Sequence, residues 1–124
     1  MTENIDTAIY HMCRRDEWHA AKQAGSYRGS SQDIADGFIH FSSATQVVTS
    51  AAKHRAGQDG LVLLRVDPAK LGEALKWEVS RGGKLFPHLY GPLRIAAVIK
   101  TYDIDLDGDG RHIFPPELGL KEAE

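Results

Sequence analysis

The chain has 124 residues, 42% of them hydrophobic and 26% charged, with 15 basic against 17 acidic residues for a formal charge of −2. That length supports a core of ordinary size without metal or disulfide, and the single cysteine, Cys13, has no intrachain partner. Interspersed charge excludes the basic footprint that nucleic-acid binding leaves, and the apolar runs are too short to span a bilayer.

Residues 1–7 are polar and acidic, unlike a secretory signal, so a single cytoplasmic domain over residues 1–124 is expected, with residues 1–7 and 115–124 as flexible termini. Alternation over residues 8–13 predicts a strand with Ile9, His11 and Cys13 on one face and Tyr10 and Met12 on the other. A helix over Arg15–Ala24 follows: Asp16 and Glu17 lie in its first turn, Trp18, Ala21 and Lys22 share a face, and Gly25 stops it. Residues 26–37, mostly Ser, Gly, Gln and Asp, predict a covering loop.

Strand pattern returns over residues 38–42, with Phe38, His40 and Ser42 on one face, and SSAT at 42–45 caps a second helix, Ala44–His54, turning Val47, Val48, Ala51 and Ala52 inward. LVLLRV at Leu61–Val66 predicts a buried central strand. Leu75–Val79 and residues 95–105 are further strands, separated by a Gly-Gly and Pro-rich segment that carries FPHLYGP. Strands and two helices that do not alternate regularly argue for α+β architecture rather than a doubly wound sheet.

Three histidines stand in apolar or aromatic runs: His11 in AIYHM, His40 in GFIHFSS and His88 in LFPHLYG. Burying an imidazole without partners costs about 1–3 kcal/mol. Each therefore needs hydrogen bonds, and three such placements suggest a shared site as readily as three satisfied core residues. No pair of them has the i, i+4 spacing of a helical zinc site, so no metal is expected. His19, His54 and His112 fit a solvated surface.

The run DLDGDG at 105–110 resembles the start of a calcium loop, but its twelfth position is Pro116, which predicts a tight Asp-Gly hairpin instead. Cys13 has apolar neighbours and nothing obvious to lower its pKa. In LKWEVS, alternation puts Trp77 and Glu78 on opposite faces, Trp77 inward and Glu78 outward.

The stretches IYHMCRRDEW, GFIHFSSATQV, LVLLRVDPAKLG, LKWE and LFPHLYGPL, spread over most of residues 9–100, closely resemble the family called domain of unknown function 952. Trp18, Gln46, Trp77, Glu78, Pro87 and Tyr90 stand at that family's positions. The resemblance implies an ADP-ribosyltransferase-like fold, α+β with a split mixed or antiparallel β-structure and two main helices, holding NAD in a cleft between two sheets. In that larger group a first-strand His contacts ribose hydroxyls, a second-strand Tyr stacks on nicotinamide, and a third-strand Glu orients the ribose. His11 resembles the first, His40 stands where Tyr is common, and the third position falls to His88 or Glu78.

The resemblance thus implies His11, His40, His88 and Glu78 as catalytic candidates. It implies His11, His40, Ser42, Ser43 and Tyr90 as contacts for NAD or a related nucleotide, with the N-terminus of the helix near Ser43 meeting phosphate. The activity it implies is NAD-dependent transfer. The alternatives are a non-catalytic nucleotide-binding module and a phosphate-ester hydrolase or phosphotransferase using imidazole acid–base chemistry.

Overall fold

LVLLRV becomes one of the two inner strands of the larger of two principal sheets in the computed structural model, which describes residues 7–118. In chain order the elements are β1 (Ile9–Arg14), α1 (Arg15–Ala24), β2 (Ser26–Tyr27), α2 (Ser31–Asp36), β3 (Ile39–His40), β4 (Ser42–Ser43), α3 (Ala44–His54), β5 (Leu61–Val66), β6 (Leu75–Val79), β7 (Leu85–Leu89), β8 (Leu93–Arg94) and β9 (Val98–Ile104). One sheet runs β4-β1-β5-β9, the second β3-β7-β6, and β2 pairs with β8. All these pairings are antiparallel, giving an α+β protein with three helices and open antiparallel sheets.

GFIHFSS lies where the two principal sheets meet. Ile39 pairs with Leu89 and His40 with His88 in the smaller sheet. Phe41 donates its N–H to the Pro87 carbonyl at 2.9 Å, and then Ser42 and Ser43 pair with Tyr10 and Ile9 in the larger sheet. The expected continuous strand over residues 38–42 is therefore broken at Phe41, because the chain changes sheets there. A residue at this seam faces both sheets.

The alternation expected in β1 holds. Ile9 and Cys13 join Trp18, Val62, Leu64 and Phe41 in one apolar cluster, and Tyr10 and Met12 join Val47, Leu63, Tyr102 and Ile104 in the other. Each fully buried aliphatic side chain contributes about 1.5–3 kcal/mol. The helices α1 and α3 have the bounds their sequence signals predict. Gly25, at φ 94°, ends α1 by donating to the Ala21 carbonyl. In α3 only Val47 and Ala51 are buried, and Val48 and Ala52 face outward. A helix lying on one sheet buries a narrow i, i+4 stripe, and Val48 is a third of a turn away from it. Lys22 on α1 is exposed for the same reason.

Residues 26–37 are not a loop throughout. Ser30-Ser31-Gln32-Asp33 forms a capping box: the Asp33 carboxylate accepts from the Ser30 N–H at 2.7 Å, and the Ser30 hydroxyl accepts from the Asp33 N–H at 3.3 Å. This starts α2, and Gly37 at φ 89° ends it. The polar composition concealed a helix whose stability comes from its cap and tertiary contacts. Gly29 matters to the same corner: its φ is 99°, and a Cβ there would fall 2.6 Å from Asp33 Cβ. Gly29→Ala is expected to cost more than Gly37→Ala, since both strain φ at about 1 kcal/mol or more but nothing lies within 4 Å of a Cβ at Gly37. Equal losses in melting temperature would show that Asp33 accommodates the methyl.

Residues 105–112 make the expected tight turn around a single bridge, Leu106 to His112, rather than between two regular strands. N–H groups of Arg111 and Asp109 donate to the Asp107 carboxylate and hold it below the usual carboxylate range. Of the tail expected to fray, Leu118 is buried beside the Tyr10 cluster, while residues 1–6 and 119–124 lie outside the described part.

Candidate functional site

His11 leaves β1 toward the seam, 6% exposed. Its Nδ1 lies 2.6 Å from the His40 carbonyl, which can only accept, so Nδ1 carries the hydrogen. Burial lowers the pKa of the ring, against the opposing pull of Asp33, so His11 is neutral and its Nε2 accepts from the Tyr27 hydroxyl at 2.8 Å. Tyr27 itself is pushed up by burial and keeps its proton. Cys13, on the same face, is raised to about 12 by burial and is no nucleophile.

A depressed histidine pKa has a sign. The unfolded ring takes a proton near 6.5 and the folded ring resists, so this stabilisation is complete above pH 6.5 and is lost as pH falls through the folded value. His11→Asn keeps a donor near the His40 carbonyl but cannot titrate. The variant is expected to be less stable by about 1–3 kcal/mol at neutral pH, with a flatter melting-temperature profile below pH 6.5; an unchanged slope would assign the acid sensitivity elsewhere.

His40 sits between two carboxylates. Its Nδ1 is 2.6 Å from Asp33 Oδ1 and its Nε2 is 3.1 Å from Asp36 Oδ2, while its backbone N–H donates to Asp33 Oδ1 at 3.1 Å. Asp33, only 3% exposed, also receives the Ser30 hydroxyl at 3.0 Å and has His11 Nε2 at 3.6 Å. Although burial pushes its pKa up, the His40 hydrogen bond and the Ser30 and His40 backbone donors prevail and hold it at about 2. A fixed negative charge therefore lies inside the seam.

Opposite His40 on β7, His88 places Nδ1 2.8 Å from Glu78 Oε1, and the Tyr90 hydroxyl donates to the same oxygen at 2.7 Å. These bonds, Tyr90 first and His88 second, lower the Glu78 pKa, and Glu78 raises that of Tyr90. Phe38 stacks on the His88 ring with centroids 4.2 Å apart. Trp77 and Glu78 take opposite faces as expected but with the assignment reversed: Trp77 is 48% exposed and Glu78 turns toward His88, because β6 is the outer strand of a small sheet whose other face carries the histidine.

A cleft of about 640 Å³ opens over the seam, and its lining includes His11, Asp33, His40, Ser42, Arg55 and His88. Of the residues singled out from the sequence, His11, His40, Ser42 and His88 come together here. Ser43, Glu78 and Tyr90 do not line it. Ser42 donates to the Ser50 hydroxyl at 3.1 Å, and the Ser43 N–H is taken by Gln46 Oε1 at 2.9 Å within the cap of α3. His19 is exposed, and His112 lies 3.0 Å from the Gln58 carbonyl. His54, placed with the surface histidines, is exposed and borders the cleft.

The residues that sequence reasoning missed are Tyr27, Asp33, Asp36 and Arg55. The S-x-x-D capping signature at Ser30 and Asp33 was the readable signal for α2. Nothing local marks Arg55, whose guanidinium reaches the Met12 carbonyl at 3.2 Å across 43 residues of sequence. Among the described residues no group of three or more His, Cys, Asp or Glu is placed to hold a metal ion, and no helix is long and apolar enough to cross a membrane.

Two antiparallel sheets joined at a seam that presents three histidines and a buried carboxylate to one cleft define the class: an α+β protein with a histidine-lined pocket. The chain belongs to the family described as protein of unknown function (DUF952), which matches residues 12–101. It is similar to protein CC0527 from Caulobacter crescentus: the crystal structure is 51% identical, with a TM-score of 0.88 over 92% of this chain and all of that one. The solution structure of the same protein is 53% identical, with a TM-score of 0.76 over 85% of this chain and 90% of that one. A search of the curated proteins finds no match.

Proposed function

We propose that the chain, on an ADP-ribosyltransferase-like fold, binds NAD or a related nucleotide in the histidine-lined cleft and transfers a group there with His88 as the acid–base residue. The observation that carries this reading is the meeting of His11, His40 and His88, from three strands of two sheets, in one cleft with a buried carboxylate. The cleft falls in the usual size range of small-molecule sites. Its lining fits a nucleotide: Arg14 and Arg55 offer positive charge for phosphates, and Phe86 and the imidazoles offer flat faces for a base. Bound NAD supplies a ribose carbon with nicotinamide as leaving group.

Within this reading each side chain has a task. Glu78 fixes the Nδ1–H tautomer of His88, leaving Nε2 to take or give a proton. Asp33 provides negative charge near a centre that becomes positive. Neutral His11 and paired His40 hold the cleft's shape, and the His11 ring ties the larger sheet to the smaller through the His40 carbonyl. A cytoplasmic location belongs to the same reading. A second reading, phosphate-ester chemistry, is favoured by one observation: the Asp33 oxygens are already engaged and Glu78 does not line the cleft, so imidazole is the reactive group best placed in it.

Calorimetric titration with NAD, ADP-ribose and nicotinamide, followed by assay for released nicotinamide, tests the proposal. NAD and ADP-ribose should bind and nicotinamide should appear in solution. Absence of binding by NAD and ADP-ribose, with phosphate released from ester substrates, would replace the transferase reading with the second.

A further inference from the structure

The outer edge of the smaller sheet is β6, LKWEV, and no strand pairs with its far side among the described residues. Edges are ordinarily blunted by charge, proline, a bulge or a cover; residues 75–79 contain no proline and pair with β7 without a register shift, and their two charges, Lys76 and Glu78, are of opposite sign. Leu75, Trp77 and Val79 share one face of this strand, and Leu85, directly opposite Val79, adds to it. Trp77 is 48%, Val79 68% and Leu85 51% exposed. This apolar strip lies on the face away from Glu78 and His88.

Read against its own reverse, β6 is self-complementary: apolar, Lys, Trp, Glu, apolar faces apolar, Glu, Trp, Lys, apolar. We infer that β6 is a homodimerisation edge, pairing antiparallel with β6 of a second copy in the register centred on Trp77. In that register Lys76 of each copy lies opposite Glu78 of the other, Leu75 opposite Val79, and the two Trp77 rings face each other. Shifting the centre to Lys76 or Glu78 puts like charges directly opposite, which disfavours those registers. Charge complementarity thus selects the register while the exposed apolar strip supplies the attraction.

The product is a two-fold dimer with a continuous six-stranded sheet, β3-β7-β6 and its symmetry mate. A single strand edge with three large side chains makes a small interface of the weak, concentration-dependent kind. Lys76 of the second copy arrives beside the Glu78 that holds His88, so pairing also reinforces the ionised carboxylate behind the imidazole. The dimer itself requires no ligand in the cleft, and its test is independent of the functional reading.

Sedimentation of the full chain over a range of concentrations provides that test. The weight-average mass should rise from the 13.7 kDa of one chain toward twice that value. Lys76→Glu and Val79→Lys, both at exposed positions, should stay folded by circular dichroism and weaken association by about tenfold or more. Under mild oxidation, Trp77→Cys should form a covalent dimer, whereas Lys76→Cys should not, since Lys76 does not face its own copy. A mass of one chain at every concentration, undiminished association of the two charge variants, or equal cross-linking of both cysteine variants would overturn the inference.

Discussion

Under the proposed transferase reading, His88→Ala is expected to lower turnover about 10²–10⁴-fold while leaving nucleotide affinity nearly unchanged, the range that loss of a positioned acid–base group produces. The geometry behind this expectation is the Glu78 Oε1 to His88 Nδ1 bond at 2.8 Å, which commits one ring nitrogen to the carboxylate and leaves the other for substrate. Pro87 fixes its own φ, and Phe38 stacks on the ring at 4.2 Å, so the imidazole is aimed as well as paired. Glu78→Gln should have a smaller effect, about 10- to 100-fold, because the amide can still orient the ring but no longer supports a charged imidazolium. A His88→Ala protein with reduced melting temperature but full activity per folded molecule would show that the ring serves packing alone.

Asp33→Ala is expected to have the largest effect on stability. The substitution strands the His40 N–H and ring, the Ser30 N–H and the Ser30 hydroxyl in a corner where Asp33 is 3% exposed. Removing one member of such a buried charged network costs about 3–5 kcal/mol, which lowers the melting temperature by roughly 10–20 °C for a domain of this size. The same residue gives a second acid transition. Its pKa falls from 3.8 to about 2 on folding, so its contribution is present in full above pH 3.8 and disappears as pH falls through about 2. Thermal unfolding of wild type and Asp33→Ala across that window should converge at the acid end; parallel curves would place the charge outside the folding equilibrium.

Elements with strong local punctuation were legible in the sequence. The first helix carries its acidic first turn and its terminal glycine, the third its Ser-Ser cap, and LVLLRV its uninterrupted apolar run, so propensity and tertiary packing agree. The histidine placements pointed correctly to one cleft for His11, His40 and His88. What escaped was structure made by long-range closure. Residues 26–37 read as a covering loop because polar composition hides both a two-residue strand, which pairs only once β8 arrives, and a helix of a turn and a half. Trp77 read as buried because alternation gives two faces without saying which one the fold covers. Asp33 could have been found from its capping box, but its bonds to His40 depend on a seam that no local pattern encodes.

Nuclear magnetic resonance titration of the ¹⁵N-labelled protein, following backbone amides and histidine ring nitrogens together, tests the proposed nucleotide binding in the cleft most directly. With NAD or ADP-ribose added, saturating shifts are expected to cluster at His11, His40, Ser42, Arg55 and His88, with Trp77 and the outer face of α1 unmoved at constant protein concentration. Saturating shifts that avoid those five residues, or spectra unchanged with either ligand in large excess, would contradict it.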